Sequence, residues 1–279
     1  MDKIILALDS RNIDRNAIRF ACHLIRLTHS RLTGFFLEKE SVDEQVLLAC
    51  AENDSVIESV TIIKENDDEQ EALLTEENIR LFSEITEREG VHAFIEFGNG
   101  IGVSEIISKS RFADVVILNA ATCISGYEES TPSLFVKNIL NNAECPVIIS
   151  PEIFNGIDNI VFCYDGSKSS VFAMKQFTYL FPEFKYTRAK VIYLNTDDEF
   201  LEEDRQAVTE WLNYHYGDVE FVALEGNALE AFFNYLLQKR NDLVVMGAYG
   251  RGLLASFFRN DEKTDGDRTT SIPIFISHH

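Results

Sequence analysis

Two short segments of the sequence combine residue types that could bind a nucleotide. Asp165-Gly166 follows one apolar run, and Gly247-Ala248-Tyr249-Gly250-Arg251 follows another. Glycine lets a backbone turn its amides toward an anion, and the Arg251 guanidinium is a planar donor suited to phosphate. The Asp165 carboxylate could accept hydrogen bonds from a ribose hydroxyl or an amine. The alternative is a tight strand-to-helix turn in which Asp165 helps to cap the following helix.

An internal repeat indicates how the chain brings such segments together. Three segments of the first half recur in the same order in the second, and the matching pairs are 3–10 with 159–166, 114–118 with 242–246, and 145–150 with 272–277. The first half is longer because of an insert near residues 43–72, whose end, from Lys64 to Glu71, predicts a solvated acidic loop. We therefore predict domains at 1–150 and 157–279.

Short apolar runs alternate with helix-periodic segments in both halves. Strands that are apolar on both faces and are separated by helices indicate a parallel sheet covered by helices on both sides. We predict an α/β fold with two tandem, doubly wound, five-stranded parallel-sheet domains. In such a sheet the ligand crevice opens at the carboxyl ends of the strands, where the strand order reverses. The Asp165 and Gly247 segments are both expected at this edge.

These segments, with the closing strands introduced by Pro146 and Pro273, resemble the universal stress protein family. The similarity is that of a tandem two-domain member and covers nearly the whole chain apart from the insert, with Asp9 and Asp165 ending the opening strands and Gly247-x-x-Gly250-Arg251 following the fourth. The resemblance implies an adenine nucleotide alpha hydrolase-like fold whose halves pair pseudo-symmetrically through their last strands, as a pseudo-dimer within one chain. It also implies that ATP, AMP or a related adenine nucleotide could bind in the second half.

The second half departs from the family's nucleotide-binding pattern at two positions. Where the pattern has Gly followed by Ser or Thr, this chain has Asn260 and Asp261, and a carboxylate beside a phosphate costs on the order of a few kcal/mol in a partly desolvated pocket. We therefore expect no nucleotide, or a ligand with few phosphates such as AMP or an adenosine-like molecule, in preference to ATP. No cofactor is fixed by the sequence. The candidate binding residues are Asp165, Gly166, Gly247, Tyr249, Gly250, Arg251, Asn260 and Asp261.

The first half has lost more of this pattern. Asn119 and Thr122 stand where the second half has glycines, so we predict a half that binds no nucleotide. Asp9 is then expected to act as a turn or capping residue. The last helix of this half is predicted to use Thr131 as its cap, with Leu134 in its buried stripe.

Composition excludes several classes of partner. The chain has 46 acidic residues against 25 Lys and Arg, a formal net charge of −21. Nucleic acids and anionic membranes are bound by clustered Lys and Arg, so neither is expected as a partner. No apolar stretch approaches the ~20 residues that span a bilayer, and no signal cleavage site follows the N-terminus, so we expect a soluble, cytoplasmic protein. The five cysteines form no Cys-x-x-Cys pair and no metal site is indicated, so they are expected to be buried hydrophobes.

Two hypotheses of function follow. No Gly-x-Ser-x-Gly elbow and no motif that pairs His with Ser or Cys is present, so the chain is not predicted to be an enzyme. The first hypothesis is a stress-response protein that binds a nucleotide or other small molecule in its second half. The second is an interaction module without a ligand, which acts through dimerisation and through protein partners that the sequence does not identify.

Overall fold

The computed structural model describes residues 1–37, 54–98, 102–123, 131–194, 201–224, 228–238, 241–247 and 272–277. Its strands are β1 (Lys3–Asp9), β2 (Arg31–Leu37), β3 (Ala93–Phe97), β4 (Val115–Leu118), β5 (Val147–Ile149), β6 (Asn159–Tyr164), β7 (Arg188–Tyr193), β8 (Val219–Val222), β9 (Asp242–Gly247) and β10 (Ile274–Ser277). Its helices are α1 (Arg15–Thr28), α2 (Asp54–Arg88), α3 (Gly102–Ser110), α4 (Leu134–Asn142), α5 (Lys168–Leu180), α6 (Glu202–Asn213) and α7 (Ala228–Leu237), with a 3₁₀ helix at Pro182–Tyr186.

The strands form one ten-stranded sheet in the order β3-β2-β1-β4-β5-β10-β9-β6-β7-β8. Each half contributes five parallel strands in the same order, and the order reverses between β1 and β4 and again between β6 and β9. The halves meet where β5 runs antiparallel to β10, with Ile148 opposite Phe275. The predicted fold class, a mostly parallel α/β architecture in two equivalent halves, is confirmed.

The core lies on both faces of this sheet because the strands are apolar on both sides. Ile4, Leu6 and Leu8 belong to the cluster on one face, and Ile5 and Ala7 belong to the cluster on the other. Successive side chains of a strand point to opposite faces, so one continuous apolar run fills both layers. Each cluster contains residues of both halves, so the hydrophobic core is shared across the β5–β10 junction.

Two local expectations were wrong. Residues 64–71 lie within α2 and do not form an acidic loop. The stretch has three Glu residues and neither Gly nor Pro, so its composition is compatible with a helix as well as with a solvated loop. The cap of α4 is Ser133, whose side chain accepts from the Val136 amide, and not Thr131. The helix therefore begins later, and Leu134 is exposed while Val136 takes its place in the buried stripe.

Within the described residues, no helix combines the length and the apolar character needed to cross a membrane. Three cysteines of the described chain, Cys22, Cys145 and Cys163, are buried with free thiols, as predicted. Cys123 is only half-buried, and Cys50 lies outside the described residues.

Candidate functional site

The carboxyl edge of the second half begins at a turn between β6 and α5. Asp165 follows the last residue of β6, and Gly166 has a φ of 80°, a left-handed conformation that favours glycine. Asp165 Oδ1 accepts a hydrogen bond from the Ser167 amide at 2.9 Å. Ser167 caps α5, its hydroxyl accepting from the Ser170 amide at 3.1 Å. The sequence type Asp-Gly-Ser therefore folds into a turn that also fixes the direction of the Asp165 carboxylate.

Gly247 brings this turn against the neighbouring strand. It ends β9, which pairs with β6, and a Cβ at this position would lie 2.6 Å from the carbonyl carbon and 2.7 Å from the carbonyl oxygen of Ser169. Only a residue without a side chain permits this approach of the first turn of α5. Asp165, Gly166 and Gly247 thus lie at one edge of the sheet. The other predicted site residues, Tyr249, Gly250, Arg251, Asn260 and Asp261, lie outside the described residues.

Three further polar side chains lie near this edge and were not among the predicted site residues: Tyr164, Tyr193 and Asp204. Tyr164 and Tyr193 are the last residues of β6 and β7 and lie opposite each other in the register, with ring centroids 6.0 Å apart. Burial, together with the charge of Asp204 and a hydrogen bond to it, raises the pKa of Tyr164 above its ordinary value. The available signal was that each tyrosine lies near the end of an apolar run predicted as a strand, since the carboxyl ends of parallel strands meet at the same edge.

At the equivalent edge of the first half, the polar side chains form hydrogen bonds within the edge itself. Asp9 Oδ1 accepts from the Arg11 amide at 3.0 Å and from Arg11 Nε at 3.2 Å, which is the turn role expected for Asp9. Asn119 occupies the position equivalent to Gly247, and its side-chain amide donates to Asp14 Oδ2 at 2.6 Å. Asp14 is also the cap of α1, because its side chain accepts from the Asn16 amide. The strand-end groups of this half therefore satisfy one another.

The architecture has counterparts among solved structures. A universal stress protein from Archaeoglobus fulgidus superimposes with a TM-score of 0.62 at 13% identity, covering 98% of this chain and 98% of that chain. The chain has the universal stress protein fold. A candidate universal stress protein from Pseudomonas aeruginosa (TM-score 0.51, 12% identity) covers 100% of this chain and 93% of its own. For a functionally unknown protein from the same species (TM-score 0.51, 10% identity), the match covers 100% of this chain and 92% of that protein. No family model matches the sequence, and no curated protein matches it.

Within the universal stress protein fold, the two carboxyl edges of this chain differ in what they can accept. Asp165 receives one backbone hydrogen bond, and no Lys or Arg of the described residues lies within ion-pair distance of it. Asp9, by contrast, forms an ion pair with the Arg11 guanidinium. The second edge therefore presents a carboxylate that can still accept hydrogen bonds from a ligand.

The electrostatics of the second edge are acidic. Asp165 is accompanied by Asp204, and Glu202 and Glu203 complete the first turn of α6, where carboxylates interact favourably with the helix dipole. No group of three or more His, Cys, Asp and Glu side chains among the described residues could hold a metal ion. The described part of the edge therefore suits a hydroxyl or amine donor better than a polyphosphate.

Proposed function

We propose that this protein is a non-catalytic member of the universal stress protein family that binds an adenine nucleoside, or a nucleotide with few phosphates, at the carboxyl edge of its second half. The observation that carries this proposal is the contrast between two equivalent aspartates. Asp9 and Asp165 both follow the first strand of a half, but Arg11 occupies only Asp9. A carboxylate with unused lone pairs at a strand end is a suitable acceptor for the paired hydroxyls of a ribose.

The helix end beside the site explains the preference for few phosphates. Two amides at the start of α5 already donate to side chains, because Ser167 Oγ accepts from Ser170 N and Asp165 Oδ1 accepts from Ser167 N. A helix N-terminus binds phosphate through such amides, so part of this capacity is already used. The carboxylates of Asp204 and Asp165 add like-charge repulsion against each additional phosphate. Adenosine or AMP is therefore favoured over ATP.

Calorimetric titration with adenosine, AMP and magnesium ATP tests this function. Asp165→Asn removes the charge but leaves an oxygen that can accept from Ser167 N, so the turn is preserved. Because a hydrogen bond to a charged acceptor is worth ~1.5–3 kcal/mol, we expect AMP affinity to fall about tenfold or more. The matched control is Asp9→Asn, which should leave AMP affinity unchanged. Absence of binding by the wild type, or equal losses in both variants, would refute the proposal.

The competing function, an interaction module without a ligand, is favoured by one observation at the outer strand of the first half. β3 is an outer strand, and its side chains Phe94 and Phe97 are 49% and 46% exposed. An outer strand with apolar side chains can pair with another chain, either a second copy or a protein partner. Self-association that is lost in Phe94→Asp, together with no binding of adenine ligands, would support this function instead.

A further inference from the structure

A cavity of about 170 Å³ lies at the opposite end of α5, away from the candidate nucleotide edge. It is half open to solvent and is bordered by the end of α5, the following 3₁₀ helix and the turn after α6. Its lining residues are Thr178, Phe181, Pro182, Lys185, Tyr214, His215 and Tyr216. Because α5 has 13 residues, roughly 20 Å separates this cavity from the Asp165 turn. The two sites therefore share no described residue.

The walls of the cavity are held in place by the backbone. The Tyr216 amide donates to the Leu212 carbonyl at 2.8 Å, which closes the turn after α6. The Gly217 amide donates to the Lys185 carbonyl at 3.3 Å and ties that turn to the 3₁₀ helix. The Tyr216 ring packs edge-on against Phe162 of the core, with ring centroids 5.5 Å apart. The cavity is thus built between fixed elements.

The floor of the cavity is apolar and aromatic. Phe181 and Tyr216 are buried, with 1% and 4% of their surface exposed, and Thr178 lies beside them at 3%. The Thr178 hydroxyl donates to the Met174 carbonyl at 2.7 Å. The Tyr216 hydroxyl has no partner in hydrogen-bond geometry among the described residues. An apolar cavity of about 150 Å³ accommodates a benzene ring, so this floor has room for one six-membered ring.

The mouth of the cavity is cationic in a strongly acidic chain. Lys185 lines the cavity and is exposed, and no carboxylate of the described residues is within ion-pair distance of its ammonium. The ammonium lies 4.7 Å from the centre of the ring of Tyr186, the neighbouring residue outside the lining. Burial lowers the pKa of His215, so at neutral pH its imidazole is an uncharged hydrogen-bonding group. Tyr214 is 79% exposed and flanks the opening. A bound ligand that spans the cavity would therefore have one end against aromatic rings and the other end near a cation.

We propose that this cavity binds a monocyclic aromatic carboxylate, with its ring against Phe181 and Tyr216 and its carboxylate at the Lys185 ammonium. Nearby carboxylates would repel an anion at most other surfaces of a chain with a net charge of −21, so a lysine that lines an aromatic cavity and has no carboxylate partner among the described residues selects this class of ligand.

The only tryptophan of the sequence provides the readout. The indole ring of Trp211 lies 4.7 Å from the His215 ring, which forms one wall of the cavity. Its indole N–H gives a single NMR resonance, and we expect benzoate to shift this resonance and the amides of Lys185 and Gly217 saturably. A ligand of this size binds with a Kd of about 1 mM or tighter when its ring is enclosed. Benzyl alcohol, which has the same ring without the charge, should bind at least about fivefold more weakly.

Two lysine variants separate this site from general attraction of anions. Lys185→Gln should weaken benzoate binding about fivefold or more. The matched control is Lys175→Gln, because Lys175 is also exposed and lies over an aromatic ring, that of Trp211, but does not line the cavity. The proposal is overturned if the wild type shows no saturable shift, if benzyl alcohol binds as well as benzoate, or if both lysine variants lose the same affinity.

Discussion

Replacing Gly247 by alanine tests how closely α5 must approach β9. The added Cβ would lie 2.6 and 2.7 Å from the carbonyl carbon and oxygen of Ser169, which are backbone atoms in the first turn of a helix and cannot rotate away. Overpacking of a core costs ~1–3 kcal/mol, and a backbone obstacle places this site near the upper end. The loss of glycine also restricts the unfolded chain, which returns ~0.4–1 kcal/mol. We expect a net loss of about 2 kcal/mol in the free energy of unfolding.

Differential scanning calorimetry measures this loss, and a second glycine provides the control. A protein of this size loses roughly 2–4 °C in Tm per kcal/mol, so Gly247→Ala should melt about 4–8 °C below the wild type. A Cβ at Gly217 would have no heavy atom within 4 Å, so Gly217→Ala should melt at the wild-type temperature or slightly above it. The Asp165 turn precedes the displaced helix, so AMP affinity should fall in Gly247→Ala only. Equal melting temperatures for the two variants would contradict the close approach of α5 to β9.

Three further predictions concern charge and burial. Asp242→Asn should lower the free energy of unfolding in urea by about 3–5 kcal/mol, because it leaves the buried Lys190 ammonium, now 3.6 Å from Asp242 Oδ2, without its counter-charge. Cys22 and Cys145 should react with iodoacetamide at pH 8 only after unfolding, as followed by mass spectrometry. Burial raises the pKa of both thiols to about 12, so the reactive thiolate is scarce below that pH. Asp261→Ser should raise ATP affinity about tenfold in calorimetry if its carboxylate repels phosphate with ~1.4 kcal/mol.

Each of these three predictions has a control residue or variant within the same chain. The ion pair between Arg188 and Asp218 is exposed, so Asp218→Asn should cost less than about 1 kcal/mol. The half-buried Cys123 should be alkylated in the folded protein before Cys22 and Cys145 are. Asp261→Asn, which removes the charge without introducing a hydroxyl, should give most of the gain in ATP affinity if repulsion is the cause. A gain with Ser alone would instead indicate that the hydroxyl makes a new contact.

The strands and their arrangement could be predicted because their signal is local and redundant. Runs such as 4–8 and 115–118 are apolar at every position, a pattern that requires burial on both faces and therefore a covered parallel sheet. The internal repeat then predicted the same arrangement of strands in both halves. The predicted acidic loop at 64–71 failed because charge alone does not distinguish a solvated loop from a solvated helix.

The candidate site could be predicted only as a pair of strand ends. That Gly247 makes room for Ser169, and that Asn119 instead donates to Asp14, depends on contacts between residues far apart in the sequence. Tyr193 was not identified because its position opposite Tyr164 follows from the register of β6 with β7, which a single sequence does not specify. Asp204 was not identified as a site residue because its hydrogen bond to Tyr164 depends on how α6 packs against the sheet. Cap positions such as Ser133 were ambiguous because several Ser and Thr residues precede α4.

The antiparallel junction of β5 and β10 has a consequence for how this chain can diversify. When two identical subunits pair through one strand, every substitution in the gene appears on both sides of the interface and in both ligand crevices. Here each side of the junction is encoded separately, with Ile148 facing Phe275 where a symmetric pair would place the same residue against itself. One sheet edge can therefore carry Asn119 while the equivalent edge carries Gly247, and a substitution in one half leaves the other half unchanged. A tandem gene thus allows two specialised halves to share one sheet.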